Sequence, residues 1–345
     1  MWTRSWVADS RSRTPMPTVA AAAARASVEV VGGPRMGDSR PTGPLWFERA
    51  SCSRTVLSGA DAVDLLQRIT TNDLEEMSAT DVRNTCLIDA NGRMLDLLSV
   101  WHLGTELLLM GSENQGEVLR AHLADAVSWK DDVQAADADG VLTLLTLVGE
   151  GVDDVVCHLV GELPESGRWL MGETCWCARP VHKGEADCWD IVFQAGNRQE
   201  VLSLLSTHGV SRADEHTWQQ ERVSRGWLEG GREVDGTVIP LELDLWDSVS
   251  FDKGCFTGQE ILARMESRGK LARTLVGLSC SAEPTLGRQH TEAGSVVVTS
   301  SVEHSRLGWI ALALVRPSSI EGDGKFSMQG DAGEVDAKIR ILPFR

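Results

Sequence analysis

From residue 45 onward, short apolar runs alternate with apolar residues at helical spacing. Ser58 followed by Asp61 is typical of a helix start, in which the serine hydroxyl and an acidic side chain bind free backbone N–H groups. The apolar stripe of this helix is Val63, Leu66 and Ile69, spaced three residues apart. Residues 85–89 and 93–102 are predicted strands, and Asn91-Gly92 between them is typical of a type I′ hairpin turn.

The same pattern recurs along the next hundred residues. Further strands are predicted at residues 106–110, 141–148, 169–179 and 188–194. Helices are predicted at residues 113–127, 152–160, 198–208 and 215–228. In the first of these helices Val118, Leu119, Leu123 and Ala126 are expected to face inward, and in the last Trp218, Val223 and Trp227 form the apolar face. Helices interleaved with tight hairpins predict an α+β fold with antiparallel sheets.

The pattern changes after residue 270, where strands follow one another without a helix. They are predicted at residues 274–279, 294–300, 307–314, 325–329 and 335–342. Five short strands separated by Gly, Pro and Ser predict a small antiparallel β-barrel. We therefore expect a tail at 1–44, an α+β region of two lobes at 45–269 and a barrel domain at 270–345.

The chain of 345 residues has a net charge of −17, and this charge is unevenly distributed. The tail, residues 1–44, carries +3, and residues 45–345 carry −20. Such acidity argues against a general nucleic-acid-binding surface, which needs positive potential, and leaves a local basic groove open. The chain contains no run of about 18 apolar residues, so no membrane span is predicted. The tail lacks the apolar periodicity of a folded segment, so we interpret it as disordered. It is either dispensable, with the protein in the cytoplasm, or an organelle transit peptide.

Eight cysteines in a chain of this length predict a reducing compartment rather than a disulfide framework. Cys175, Cys177, His182 and Cys188 lie close enough in sequence to suggest zinc. Their spacing matches no established ligand pattern, and residues 173–178 alternate as a strand does. We therefore interpret Cys175 and Cys177 as small apolar residues of the core.

Candidate chemistry is concentrated between Lys253 and Arg264. Thr257-Gly-Gln-Glu260 has the pattern of a second capping box, with Thr257 as the N-cap. Since a helix N-terminus attracts anions, Lys253 upstream and Arg264 downstream predict a site for a carboxylate or phosphate. Cys255 in this setting is either a reactive thiolate or a buried core residue.

The segment Lys253-Gly-Cys-Phe-Thr-Gly-Gln-Glu260 resembles the signature of YgfZ-type folate-binding proteins, relatives of the glycine-cleavage T-protein, an aminomethyltransferase. The family's usual Tyr is Phe256 here, in a chain with no Tyr. The resemblance extends over residues 45–345. Further matching segments are 58–61, 71–73, 91–96, 222–231, 239–242, 298–301 and 310–316.

The resemblance implies a GcvT-like ring of three lobes, two related α+β lobes and a barrel, around a hole that holds tetrahydrofolate or a one-carbon-substituted folate. It further implies a role in assembly or repair of iron–sulfur clusters, with iron–sulfur proteins or their assembly factors as partners. The implied folate-binding residues are Asn72 near the pterin, Lys253 and Arg264 near the carboxylates, and Arg222, Gln259, Glu260 and Glu242, of which Glu242 is equally compatible with structural pairing. Cys255 would be the redox-active or cluster-facing thiol.

Two departures distinguish the family branches. Asp96 matches the acidic residue that the T-protein uses in its first hairpin, but Leu95 replaces the acid usually preceding it. In the T-protein pattern Arg-x-Glu-x-Gly, which begins here at Arg222, Ser224 replaces the Glu that contacts the pterin. These departures favour the accessory role. The alternatives are an aminomethyltransferase, in which Asp96 orients the amine, and a folate-binding scaffold without thiol chemistry.

Overall fold

A computed structural model describes residues 43–180, 187–320 and 323–344. The predicted disordered tail therefore lies outside the described residues, apart from its last two. The strands are β1 Leu45–Glu48, β2 Cys52–Ser58, β3 Val82–Ile88, β4 Met94–His102, β5 Glu106–Glu113, β6 Gln134–Asp137, β7 Leu142–Val148, β8 Trp169–Met171, β9 Trp176–Ala178, β10 Cys188–Gln194, β11 Ser211–Arg212, β12 Thr274–Cys280, β13 Gly287–Thr291, β14 Gly294–His304, β15 Gly308–Val315, β16 Lys325–Gly330 and β17 Gly333–Arg340. The α-helices are α1 Ala62–Ile69, α2 Gly116–Ala126, α3 Val152–Val160, α4 Arg198–Thr207, α5 Glu215–Arg225 and α6 Gln259–Arg268.

The strands form three sheets, which confirms the predicted α+β class. The first sheet has the order β3-β4-β5-β2-β6, and the second has the order β11-β1-β7-β10-β9-β8. Helices α1 and α2 bury their apolar residues on the first sheet, and α3 and α4 do the same on the second. Among the described strands, β1 and β11 pair in parallel and the other pairs are antiparallel.

The third sheet has the order β13-β14-β15-β12-β17-β16 and is a nearly closed barrel. Its edges approach each other at Gln329, whose N–H donates to Gln289 Oε1 over 2.8 Å. Strand β13 was not predicted, because its residues, Gly-Arg-Gln-His-Thr, have no apolar alternation. The predicted small antiparallel barrel is confirmed.

One apolar cluster joins the first sheet to the barrel. It contains Met94 of β4, Leu241 and Phe256 of the long segment before α6, and Leu312 of β15. Burying so many apolar side chains in one cluster fixes the 234–262 segment, which carries the Lys253 motif, against both sheets.

Several local predictions were wrong in detail. Ser58 does not cap α1; the N-cap is Asp61, and it makes no side-chain hydrogen bond. The Asn91-Gly92 turn is not type I′, because Asn91 does not have the positive φ that this type requires. Instead the Asp89 carboxylate accepts the N–H groups of Asn91 and Arg93 over 2.8 Å each and organises a longer loop.

Two further predictions were wrong, one about the orientation of a side chain and one about the length of a strand. Val118 is 62% exposed rather than inward-facing. The strand predicted at 169–179 is a hairpin, β8 and β9. Its turn contains Gly172, where a Cβ would lie 1.9 Å from the Leu159 carbonyl oxygen. Close contact with α3 therefore requires glycine at this position.

Candidate functional site

An open cavity of about 120 Å³ lies where the first sheet, the second sheet and the chain after α5 meet. We call it the inter-sheet cavity. Its lining includes Arg49, Cys52, Ser112, Glu113, Thr146, Asp190, Trp218, Trp227, Glu229 and Gly230. Pockets for whole small organic ligands typically measure about 300–1,000 Å³. The inter-sheet cavity is smaller than this range and is open to solvent.

Two tryptophans form an aromatic wall of the cavity. The N-cap of helix α5 is Asp214, whose carboxylate accepts the Thr217 N–H over 2.9 Å. The C-cap is Gly226, with φ of 70°. This left-handed residue reverses the chain and places the Trp227 ring 5.5 Å from that of Trp218. The Arg49 guanidinium lies 4.0 Å from the Trp218 ring centroid, a cation–π contact.

Three carboxylates line the same cavity. Burial raises the pKa of Asp190 to about 6, although the Thr146 hydroxyl donates to it over 2.7 Å. Burial also raises the pKa of Glu113, and the neighbouring Glu229 contributes to that increase. Arg49 donates to Glu113 over 3.1 Å. The cavity is therefore an acidic pocket with one wall of aromatic rings.

This combination has a definite chemical preference. Aromatic faces bind flat, conjugated rings, and carboxylates accept hydrogen bonds from N–H and NH₂ groups on the edges of such rings. Each of the three carboxylates already has a partner in the protein, Thr146 for Asp190, Arg49 for Glu113 and Arg222 for Glu229, so a ligand would use their remaining lone pairs. The arrangement fits an amino-substituted heterocycle with adjacent N–H donors.

Asp96 lies at the junction of this cavity and a second one. The second cavity, of about 330 Å³, contains Asp96 in its lining and shares Ser112, Gly230 and Val234 with the first. Asp96 Oδ1 accepts the N–H groups of Leu97 and Ser112 over 2.8 and 3.0 Å, whereas the buried Oδ2 has no hydrogen-bond partner. Burial raises its pKa. A Cβ at Gly111 would lie 2.5 Å from Oδ2, so the close approach of this oxygen to β5 requires glycine.

The structure brings Lys253 and Asn72 together, with the Lys253 side chain bound to the backbone of Asn72 and not to its side chain. The buried Lys253 ammonium donates to the carbonyl oxygens of Thr70 and Asn72 over 2.9 and 2.5 Å. Burial lowers its pKa to about 8. The Asn72 side chain donates to the carbonyl oxygens of Asn84 and Asp247. Lys253 therefore fastens the loop after α1 to the segment before α6, and its side chain faces carbonyl oxygens.

The predicted capping box at the start of α6 is wrong. The N-cap is Gly258, with φ of 77°, and no side chain caps the helix. A Cβ at Gly258 would lie 2.6 Å from the Asp89 carbonyl oxygen, so the helix start packs directly on the hairpin loop. Thr257 instead donates its N–H to the Arg68 carbonyl oxygen over 3.1 Å.

The other predicted residues of the motif lie away from both cavities. Cys255, Glu260 and Arg264 are exposed, and Gln259 is half-buried. None of these four lines the inter-sheet cavity or the second cavity. The exposed position of Cys255 excludes the alternative in which it is a buried core residue. The ligand-binding roles predicted for the other three remain predictions.

Arg222 and Glu242 are both committed to ion pairs. The buried Arg222 guanidinium donates to Glu233 over 2.9 Å and to the Ser300 hydroxyl over 2.7 Å, and it lies 3.0 Å from Glu229. It therefore positions Glu229 in the cavity wall instead of facing the cavity. Glu242 is buried and accepts two bonds from Arg273, over 2.8 and 3.1 Å. Of its two predicted readings, structural pairing is the one that the geometry supports.

The sequence reasoning missed most of the residues in the cavity wall. Asp190 had a detectable signal, because it is an acid in the otherwise apolar strand β10. The tryptophans had none, since a tryptophan on an amphipathic helix has the same pattern whether it lines a core or a cavity. The missed residues are Arg49, Glu113, Asp190, Trp218, Trp227 and Glu229.

Other candidate sites are less developed. Cys175 and Cys177 are buried, with their sulfurs 4.0 Å apart, as expected of core residues, whereas His182 lies outside the described residues. Within the described ranges, no group of three or more His, Cys, Asp or Glu side chains could hold a metal ion. None of the helices in those ranges is both long enough and apolar enough to cross a membrane.

Comparison with known families gives a match over most of the folded part. The family described as the GCVT N-terminal domain matches residues 45–253. A solved structure, the glycine cleavage system aminomethyltransferase T from Bartonella henselae, superimposes with a TM-score of 0.75 at 19% identity, covering 88% of this chain and 86% of that one. This likeness confirms the predicted GcvT-like fold.

Three curated relatives are 23–26% identical to this chain. A chloroplastic protein of Arabidopsis thaliana that carries the name of a transferase is 23% identical over 75% of this chain, which spans only 62% of that protein. A tRNA-modifying protein YgfZ from Serratia proteamaculans is 26% identical, covering 84% of this chain and 88% of its own length. An aminomethyltransferase from Caldanaerobacter subterraneus is 24% identical, covering 86% and 80%.

Proposed function

The chain belongs to the family of the GCVT N-terminal domain, and from this we propose that it binds tetrahydrofolate, or a one-carbon-substituted folate, in the inter-sheet cavity. We further propose that it acts as an accessory protein in the assembly or repair of iron–sulfur clusters. Relatives named YgfZ and relatives named aminomethyltransferase both support a folate-binding protein, and the Lys253–Glu260 motif supports the accessory role within the family.

The observation that carries the folate proposal is the composition of the inter-sheet cavity. A pterin is a flat bicyclic ring whose pyrimidine edge presents an N–H and an NH₂ group side by side. The Trp218 and Trp227 side chains line the cavity where the face of the pterin would pack. Asp190, Glu113 and Glu229 provide acceptors for the N–H and NH₂ groups on the pterin edge. Ser224, which replaces the acid of the T-protein pattern, does not line the cavity. We therefore assign edge recognition to the cavity carboxylates.

Titration with tetrahydrofolate tests this proposal directly. Because Trp218 and Trp227 line the cavity, we expect saturable quenching of tryptophan fluorescence by the ligand. The Trp218→Phe and Trp227→Phe variants should each lose part of the quenching, whereas Trp129→Phe, at a residue 90% exposed and outside the cavity lining, should not. Absence of quenching and of heat of binding at saturating folate would contradict every folate-binding function.

The accessory role rests on Cys255. All eight cysteines lie in the described residues, and Cys255 is the exposed one among them. A thiol on the surface is accessible to a partner protein or cluster, whereas buried thiols are not. The segment that carries it is anchored by the Lys253 contacts and by the apolar cluster around Phe256. Cys255 is thus held at a defined place on the surface.

We expect Cys255→Ala, expressed in a strain that lacks this protein, to leave iron–sulfur enzyme activity at the level of the deletion strain. The matched control is Cys157→Ala, which removes a half-buried thiol elsewhere and should restore activity fully. Folate binding should be the same in both variants. If Cys255→Ala restores full activity, the thiol has no role, and the folate-binding scaffold is the remaining function.

One observation favours the second candidate function, an aminomethyltransferase. Asp96 Oδ2 is buried and has no partner at the junction of the two cavities, where it could accept a bond from a substrate amine. Such an enzyme works mainly by positioning its reactants. The test is turnover of an aminomethylated lipoyl carrier with tetrahydrofolate. Turnover that disappears in Asp96→Asn would establish this function in place of the accessory role.

We also propose that the protein works in the cytoplasm. Eight cysteines, several of them buried in the sheet cores, are suited to a reducing compartment.

A further inference from the structure

Two histidines lie against each other at the ends of α3 and α4, the helices that pack on the second sheet. His158 is in the last turn of α3, and His208 is the residue immediately after α4. Their ring centroids are 4.5 Å apart, and their planes are tilted by 49°. His158 is exposed and His208 is half-buried, so solvent and small ions reach the pair.

The hydrogen bonds of both rings determine which nitrogen is free. His158 Nδ1 lies 2.6 Å from the Asp154 carbonyl oxygen, and His208 Nδ1 lies 2.8 Å from the Leu204 carbonyl oxygen. A carbonyl oxygen only accepts, so each Nδ1 carries the hydrogen. In a neutral imidazole the other nitrogen, Nε2, then carries the lone pair. Both rings therefore have the tautomer in which Nε2 can bind a metal.

The same bonds resemble the support that proteins give to metal-binding histidines. A ligating histidine usually donates its second N–H to a carbonyl or carboxylate, which fixes the tautomer and the ring orientation. Here each ring is held by a carbonyl oxygen of its own helix, four residues earlier. The two lone pairs are thus oriented before any ion arrives.

The surrounding charge favours a cation. Both rings stand at the C-terminal ends of helices, of nine and ten residues, where the unpaired carbonyl groups carry partial negative charge. Metal–nitrogen bonds to imidazole measure about 2.0–2.1 Å, and ring centres 4.5 Å apart are compatible with one ion bound by a nitrogen of each ring. Water molecules would complete its coordination.

We propose that His158 and His208 form a binding site for a divalent first-row transition metal, held by the two Nε2 atoms. The site is distinct from the inter-sheet cavity, and neither histidine lines that cavity. Imidazole nitrogen favours Cu²⁺, Ni²⁺ and Zn²⁺ over Mg²⁺ and Ca²⁺, which prefer oxygen ligands.

Calorimetric titration of the tag-free full chain with Ni²⁺, Cu²⁺ and Zn²⁺ tests the proposal. We expect one site, with Cu²⁺ bound most tightly and Mg²⁺ not bound. His158→Gln and His208→Gln should each weaken Ni²⁺ binding by more than about tenfold, because one imidazole no longer chelates. The matched control His290→Gln, at an exposed histidine of the barrel, should leave binding unchanged.

Electron paramagnetic resonance of the Cu²⁺-loaded wild type gives a readout that needs no variant. Coupling of the copper to two imidazole nitrogens is expected. Coupling to a single imidazole, or unchanged Ni²⁺ affinity in the His158→Gln His208→Gln double variant, would overturn the proposal. Because both side chains reach solvent, we expect both variants to fold, and their circular dichroism should match that of wild type.

Discussion

Asp190→Asn is expected to abolish most folate binding while making the protein more stable at pH 8. The two effects have one origin, the burial that raises the pKa of Asp190 to about 6. Asparagine keeps the size of the side chain and still accepts the Thr146 hydroxyl, which donates over 2.7 Å in the wild type. It removes the negative charge and replaces one acceptor oxygen by an NH₂ donor, so the side chain no longer accepts two adjacent N–H groups.

The stability effect follows from proton linkage. An unfolded Asp has a pKa of about 3.9, so between about pH 4 and pH 6 the folded state binds the proton more tightly than the unfolded state. Asp190 therefore lowers the stability of the wild type progressively as pH rises through this window, and fully above it. Asp190→Asn should raise the free energy of unfolding at pH 8 by about 1–3 kcal/mol, and the gain should shrink toward pH 4.

The binding effect has the opposite sign. A hydrogen bond to a charged group contributes about 1.5–3 kcal/mol, so Asp190→Asn should weaken tetrahydrofolate binding roughly 10- to 100-fold at pH 8. In the wild type, affinity should fall as pH drops below about 6, because protonated Asp190 no longer accepts two donors.

Urea unfolding and calorimetric titration at pH 4, 6 and 8 measure both effects. Asp125→Asn, at an exposed acid outside the cavity lining, is the matched control and should change neither quantity. Equal folate affinity in Asp190→Asn and wild type at pH 8 would remove Asp190 from the recognition of the pterin edge. A lower free energy of unfolding for Asp190→Asn than for wild type at pH 8 would show that the protein stabilises the ionised form of Asp190, contrary to its raised pKa.

Periodicity predicted most of the fold, because each element of the sheets is defined by local burial. Helix α3 was predicted at its observed bounds, and β10 likewise. The errors fell where a distant contact decides the local structure. At Gly172 the predicted strand turns into a hairpin, because the end of α3 packs against this residue. At Gly258 helix α6 begins, because the loop at Asp89 packs against this residue.

The candidate site was predicted less completely for a related reason. The motif around Lys253 is continuous in sequence, so it could be recognised, but its lysine joins two segments and does not line the cavity. The cavity forms from Glu113 of β5, Asp190 of β10 and Trp218 of α5, which are far apart in sequence. Only the assembled sheets place these side chains together.

The largest loss of stability is expected from Arg222→Met. Arg222 and Glu233 are 1% and 0% exposed, and their side chains form an ion pair of 2.9 Å. Glu233 also accepts from the Thr299 and Ser300 hydroxyl groups of β14, both over 2.6 Å. The pair thus connects α5 to the barrel. Removing one partner leaves a buried charge uncompensated, which typically costs about 3–5 kcal/mol.

Two matched variants separate the buried pair from other effects of Arg222→Met. Arg232→Met removes an exposed guanidinium that also pairs with Glu229, over 3.0 Å, and should cost less than about 1 kcal/mol. The double variant Arg222→Met Glu233→Gln removes both charges, so it should recover part of the stability lost in the single variant. If urea unfolding shows the double variant to be less stable than Arg222→Met, the uncompensated charge of Glu233 is not the cause. The stability of the α5–barrel contact would then come from the hydrogen bonds that Arg222 donates to the Ser300 hydroxyl and the Trp227 carbonyl oxygen.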